Sequence, residues 1–216
     1  MGLFEYLSSH YYDQNQLLEA CSLNLDLLTR WQDLGIFPKP AYRLNSQIEC
    51  SSYYGLHQCK EYWDYYARGS DKWAKLIHSK ESCSPSQAYE LFFNKYCTHL
   101  SYLQNQGFYC EDETFSEQLN EHVQTQWQHF INGKFSLTTQ NGLIEEIVEI
   151  EIGMIVIMNV TQCHSITELS DEDKQQIRQA LKYLNKSLSH FAPHERAQSY
   201  RAKYIDKTIA LYDLSI

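Results

Sequence analysis

Glycine (8) and proline (4) are scarce in this 216-residue chain. That scarcity excludes collagen-like and low-complexity classes. Together with many helix-compatible polar residues it points to a mainly α protein. Cysteine pairing is missing as well: there are seven cysteines, an odd number, and no CxxC. A disulfide framework is not expected in a chain long enough to bury a core without one. The first 16 residues hold neither a basic region nor a long apolar stretch, so no signal peptide is expected. The cysteines are then expected in a reducing cytoplasm, mostly free and buried.

Long apolar runs are absent too. The longest, Ile144 to Val160, is interrupted by Glu145, Glu146, Glu149 and Glu151. Four carboxylates are costly in a bilayer, so no membrane partner is expected. Positive charge is in short supply: 18 Lys plus Arg stand against 27 Asp plus Glu, a net charge of −9. Residues 111–170, with one cation and ten anions, carry that whole excess. Such a surface repels nucleic acid, which could touch at most an end of the molecule. No Gly-rich phosphate loop, GxSxG or HExxH occurs, and no residue pattern names a reaction.

What is present reads as a series of helices. Leu3 to Tyr12 forms a first helix, with Leu3, Phe4, Leu7 and Tyr11 near one face. Asp13 caps a second, Gln14 to Cys21. Leu25 to Leu34 forms a third, with Leu27, Leu28, Trp31 and Leu34 spaced for a buried stripe and Gly35 at its C′ position. Pro38 and Pro40 forbid further helix. Tyr42 to Tyr54 reads as a short hairpin or wing, and helix is expected over much of Lys60–Ala67 and over Asp71–His78. Ser84-Pro85 opens a clear helix that runs to about Asn105. Glu111 to Asn132 is another, with Phe115, Leu119, Val123, Trp127 and Phe130 inward. Ile144 to Thr161 is β-branched enough for a strand, but its length and spacing favour a buried helix. Asp171 to Phe191 places acidic residues first and basic ones later, as the helix dipole prefers. Pro193 is expected to start the last helix, which ends near Tyr212.

Residues 16–44, QLLEACSLNLDLLTRWQDLGIFPKPAYRL, combine a short helix with Leu17 and Leu18, a turn at Ser22–Asn24, and a helix with Leu28 and Trp31. Leu34-Gly35, a proline pair and Tyr42-Arg43-Leu44 follow. This segment resembles the opening of MerR-type winged helix-turn-helix proteins. The resemblance implies a second helix able to enter a DNA groove. The non-core positions of that helix are Asn24, Asp26, Thr29, Arg30, Gln32 and Asp33. The candidate phosphate contacts are Arg30, Lys39 and Arg43, fewer than useful DNA binding generally needs. A packing or protein-docking module is the preferred reading of the segment.

Three later features, Trp127-x-x-Phe130-x-x-Gly133, the acid-rich Ile144–Glu151, and Phe191-Ala-Pro-His-Glu-Arg-Ala-Gln-Ser-Tyr-Arg201, resemble a bacterial family described on genomic grounds as natural product biosynthesis proteins. The resemblance implies a common fold and no reaction. It also implies a Tyr-Gly-Leu-Cys type strand or loop after Gly133, where this chain has Lys134-Phe135-Ser136-Leu137. In the last motif, His194, Glu195 and Arg196 are expected in the first turn of a helix begun by Pro193, with Arg201 one to two turns on. They could hold an anion or carboxylate there. The preferred alternative is a structural network in which Glu195 joins Ser199 or an arginine, and the arginines bind carboxylates of the 111–170 stretch.

His57-x-Cys59, Cys97-x-His99 and Cys163-His164 lack the spacing of zinc ligands, so no metal and no cofactor is expected. His122, Gln126 and His129 share a helix face that could serve as a general-base surface, though a solvent-exposed face is the preferred reading. The aromatic region 53–73, with Lys60, Arg68 and Lys72, reads as core or ligand-pocket packing rather than a single-strand platform. The expected fold is therefore mainly α: a winged helix-turn-helix-like module (1–55) with a small β wing, packed on a helical domain (56–216). The expected role is a non-catalytic cytoplasmic accessory protein whose partner is another protein, with a homodimer also compatible. The alternatives are a DNA-binding regulator, and a small-molecule binder or enzyme with an anion site at 193–201.

Overall fold

Four side-chain caps begin helices where the sequence places them. In the computed structural model, which describes residues 2–79 and 82–214, Asp13 accepts from the Gln16 amide at the start of α2 (Gln14–Cys21). Asn24 accepts from Leu27 at the start of α3 (Leu25–Asp33). Ser84 caps α5 (Pro85–Asn105) and Ser170 caps α9 (Asp171–Ser187), each in a reciprocal box with the residue three positions on. Each cap satisfies amides that the first turn leaves unpaired. The remaining helices are α1 (Leu3–His10), α4 (Ser70–His78), α6 (Leu119–Ile131), α7 (Lys134–Thr138), α8 (Ile144–Val160) and α10 (Lys207–Tyr212). The described residues are thus mainly helical, with one three-stranded antiparallel sheet of β1 (Tyr11–Asp13), β2 (Tyr42–Ser52) and β3 (Gly55–Ala67), in the order β1-β3-β2.

Several expectations give way. The first helix stops at His10, because Tyr11–Asp13 pairs with Tyr65–Ala67 as an edge strand. Its buried residues are Tyr6 and Leu7, while Leu3 and Phe4 are exposed. On α3, Leu28 and Trp31 are buried but Leu34 is exposed. Lys60–Ala67 is strand and not helix, because β3 pairs antiparallel with β2 from Tyr42↔Tyr65 to Ser52↔Gly55 and with β1 at its inner end. Gly55, where the expected module ends, is the first residue of β3 and pairs with Ser52. The expected Glu111–Asn132 helix is broken into a 3-10 turn, Glu113–Phe115, capped by Asp112, and α6. The segment after Gly133 is helix rather than strand or loop. Ile144–Val160 is a helix, buried on nearly every side. Helix α9 ends at Ser187, four residues early. Pro193 starts no helix: a 3-10 turn (Arg196–Gln198) and a π-helical turn (Arg201–Asp206) precede α10.

The main core runs through the N-terminal segment and the helices alike. Leu17, Leu28, Trp31, Phe37 and Tyr66 belong to the same buried cluster as Phe92, Trp127, Ile147 and Leu184. The joint is tight at Gly133, whose φ is +81°. A Cβ there would sit 2.8 Å from the Lys39 carbonyl oxygen and 2.9 Å from that of Pro40. Only glycine combines that conformation with that approach. A second cluster, Tyr6, Leu7, Tyr11, Tyr65 and Ala192, joins the sheet to the 191–201 segment. The cysteines are less buried than expected: Cys50 and Cys163 are exposed, and Cys21, Cys59, Cys97 and Cys110 are half-buried. Burial pushes the Cys110 thiol up to about 12 and Cys21 to about 11, so both are protonated at neutral pH.

Candidate functional site

The 191–201 motif lies at the base of the hairpin. Phe191 is buried in a left-handed conformation, φ +60°, which a residue with a Cβ adopts only when its surroundings hold it there. Its amide donates to Ser189 Oγ, 3.2 Å. That hydroxyl also lies 3.3 Å from the Tyr6 hydroxyl and 3.5 Å from that of Tyr11. Tyr42, the first residue of β2, donates its hydroxyl to Glu195, 2.6 Å, and meets the Tyr11 ring edge-on at 5.2 Å. Burial first, and then the bond to Glu195, raise the Tyr42 hydroxyl well above its ordinary range, so it stays a donor.

The other three members separate. His194 is exposed, 4.0 Å from Glu195. Arg196 pairs with Asp206 at 2.8 Å. Arg201 is buried and donates to the carbonyls of Asn185 (2.9 Å), Leu188 (3.0 Å) and Ser189 (3.2 Å) and to the Asn185 side chain (2.5 Å). It closes the C-terminus of α9, where carbonyls otherwise lack partners. Glu195 joins Tyr42 of β2, where Ser199 or an arginine was expected. The arginines bind α9 carbonyls and Asp206 rather than carboxylates of 111–170. His194, Glu195, Arg196 and Arg201 therefore do not converge on a helix N-terminus, because no helix begins at Pro193.

The carboxylates of α8 find other cations. Lys95 and His99, one turn apart on α5, meet Glu145 and Glu149, one turn apart on α8, at 2.8 and 3.2 Å. Equal spacing on both helices makes this a parallel ladder. Glu149 also accepts from Lys186, 2.9 Å, and Ser187 at the end of α9. Burial alone would push Glu149 up. The bonds from His99, Ser187 and Lys186 outweigh it and hold the carboxyl below its usual value. Glu151 accepts from Tyr96, 2.5 Å, and lies 3.1 Å from His122. Gln126 and His129 extend the chain to Lys134. The face read as solvent-exposed thus turns inward: Gln126 is buried and both histidines are half-buried. No sequence motif marks Tyr96, His99, Glu149 and Glu151 as a set. The matched i, i+4 cations and anions were the available signal. Among the described residues no group of three or more His, Cys, Asp or Glu could hold a metal ion.

The DNA-contact candidates also disperse. Lys39 is bound at the joint, donating through Nζ to Asn132 (3.0 Å) and through its amide to Ile131 (2.9 Å). Arg43 pairs with Asp64 at 3.2 Å. Arg30 lies exposed on α3 beside Asp26 and Asp33. Residues 11–67 hold four cations and seven anions, a net charge of −3. Within this stretch the outer half of the hairpin projects. Every residue from Glu49 to Gln58 is exposed, and the tip presents Tyr53 (97%), Tyr54 (96%) and Leu56 (65%) to solvent. So of the aromatic region 53–73, Tyr65, Tyr66 and Trp73 are core while Tyr53, Tyr54 and Tyr62 are not.

Neither a curated protein nor a solved structure matches the chain. A family model does, over residues 88–213, which contain α6, α8 and the 191–201 motif but not the hairpin. That match covers more than half of the sequence, and the chain belongs to DUF6058, a family of unknown function.

Proposed function

We propose that this chain is a non-catalytic cytoplasmic accessory protein that binds another protein through its projecting hairpin. The observation that carries the reading is the outer half of β2 and β3, ten consecutive exposed residues around a Tyr53-Tyr54 tip. An isolated two-stranded ribbon is marginally stable, and exposed aromatic surface commonly marks a partner site. Tyrosine suits such a site, because a large rigid ring and one hydroxyl lose little conformational freedom on binding.

The element order α1-β1-α2-α3-β2-β3, with sheet order β1-β3-β2, supports a winged helix-turn-helix reading of the N-terminal module. In this reading the module runs to the end of the hairpin, and the family segment forms the helical body that carries it. The net charge of −3 over residues 11–67 favours a protein over DNA as what the wing meets. The resemblance to natural product biosynthesis proteins makes a biosynthetic enzyme the first partner to test.

A photoreactive residue at Tyr54, compared in cells with one at the half-exposed Tyr102 of α5, tests the proposal. One dominant protein adduct at position 54, lost in Tyr53→Ser, is expected. Equal labelling at both positions overturns it. Salt-dependent binding to duplex DNA, lost in Arg30→Ala/Arg43→Ala, would replace it with a DNA-binding regulator.

A further inference from the structure

A cavity of about 140 Å³ opens on one side between α4, α5, α6 and the loop that leads into α8. Trp73, Phe130, Leu143 and Ile144 form its apolar wall. Trp73 has already committed its indole N–H to the Ile36 carbonyl at 2.8 Å, and it packs on Phe130 with ring centres 5.2 Å apart. Its ring is therefore fixed by the core behind it and offers the cavity an apolar surface. Lys72, Lys95 and Glu145 also line the cavity.

The walls are built before any ligand arrives. The Gly69 amide donates to the Asn141 carbonyl at 2.7 Å. The buried Glu146 carboxylate accepts from the amides of Asn141 (2.9 Å) and Leu143 (3.1 Å), and Thr139 Oγ1 accepts from Gly142 (2.7 Å). A Cβ on Gly69 would fall 2.5 Å from Leu143 Cδ2, and one on Gly142 would fall 2.6 Å from Ala67 Cβ. Two glycines and a buried carboxylate thus hold the loop against the start of α4. Such a preformed site avoids part of the ordering cost of binding.

Size and charge narrow the ligand. An apolar cavity of about 150 Å³ accommodates a benzene ring. Lys95 and Glu145 neutralise each other at 2.8 Å. Among the described residues Lys72 has no ion pair, which leaves one net positive charge beside an apolar wall. We propose that this cavity binds a small carboxylic acid with a body about the size of a phenyl ring, its carboxylate held by Lys72.

Phenylacetate and phenylacetamide, alike in shape and different in charge, are the probes. Each is titrated into the ¹⁵N-labelled full chain, following the Trp73 indole and Lys72 amide resonances. A saturable shift is expected at both resonances, with the acid binding about tenfold more tightly than the amide and losing that advantage at high salt. Lys72→Met, at an exposed position, is expected to bring the acid down to the affinity of the amide. Leu76→Trp, which fills the cavity, is expected to abolish both. The proposal is overturned if phenylacetate produces no saturable shift at Trp73, if acid and amide bind equally, or if Lys72→Met leaves the acid unaffected. None of these outcomes bears on the hairpin, which lies outside the cavity lining.

Discussion

Replacing Arg201 with alanine separates a structural tie from a ligand site. The guanidinium donates four hydrogen bonds at the end of α9, three of them to main-chain carbonyls, from a position only 7% exposed. A hydrogen bond to a charged group contributes about 1.5–3 kcal/mol. Burial offsets part of that sum, since it penalises the charged form and lowers the Arg201 pKa. Removing the guanidinium strands neutral carbonyls at about 1–3 kcal/mol each, so a net loss of about 3–5 kcal/mol is expected. At roughly 2–4 °C per kcal/mol for a domain of this size, Arg201→Ala is expected to lower Tm by about 10 °C. Arg196→Ala removes an exposed pair worth less than about 1 kcal/mol and serves as the control. Arg201→Lys is expected between wild type and Arg201→Ala, because an ammonium cannot reproduce the planar fork. Thermal unfolding by circular dichroism measures all three. Had Arg201 been kept to hold a ligand, its removal would relieve an unpaired buried cation and stabilise the free protein. A Tm of Arg201→Ala at or above wild type refutes the reasoning.

Further outcomes follow from the same geometry. Glu149 is held below its ordinary pKa in the folded state, so its stabilisation is complete above the unfolded carboxylate value and is lost as pH falls through the lower folded one. Glu149→Gln is therefore expected to lower stability at pH 7 and to flatten the acid limb below about pH 4.5, read by urea unfolding against pH. An equally steep acid limb in the variant would count against that account. Gly153→Val places a Cβ 2.8 Å from Leu184 Cγ between α8 and α9; overpacking there is expected to cost about 1–3 kcal/mol, measured as a shift in the urea midpoint. Tyr53→Ser/Tyr54→Ser is expected to leave stability within about 0.5 kcal/mol, since both rings are almost fully exposed. A large loss of Tm in that variant would mean that the tip packs on the body.

Local signals made most of the helices legible. Asp13, Ser84 and Ser170 each combine a short polar cap with a matching residue three positions on, and the chemistry of capping is contained within one turn of sequence. Gly35 takes the positive φ its place after α3 demanded, +65°. The strands were less legible because their partners are remote. Tyr62, Trp63, Tyr65 and Tyr66 suit strand and helix alike in isolation. The choice rests on β2 from one side and on β1, three residues long and some 50 positions away, from the other. Pro193 misled for a related reason. Proline commonly opens a helix, but the left-handed Phe191 and the buried Arg201 hold the chain in tight turns until α10.

The candidate site was read from residue types that the fold uses as ties. His, Glu and Arg in the 191–201 motif suggested an anion site. Glu195, Arg196 and Arg201 instead meet a tyrosine of β2, an aspartate and the end of a helix, none of which is adjacent in sequence. The acid of 111–170 divides in the same way. Glu145, Glu146, Glu149 and Glu151 turn inward to α5, α9 and the loop before α8, whereas Glu111, Glu113, Glu117 and Glu121 are exposed around the start of α6. A reader of DNA would need the opposite distribution, with free cations on α3 and the wing. Lys39 and Arg43 are instead tied to Asn132 and Asp64, while the tip of the hairpin keeps Tyr53 and Tyr54 exposed. The Tyr42–Glu195 bond then gives the motif a physical task. It ties the base of the hairpin to a segment that lies within the family match.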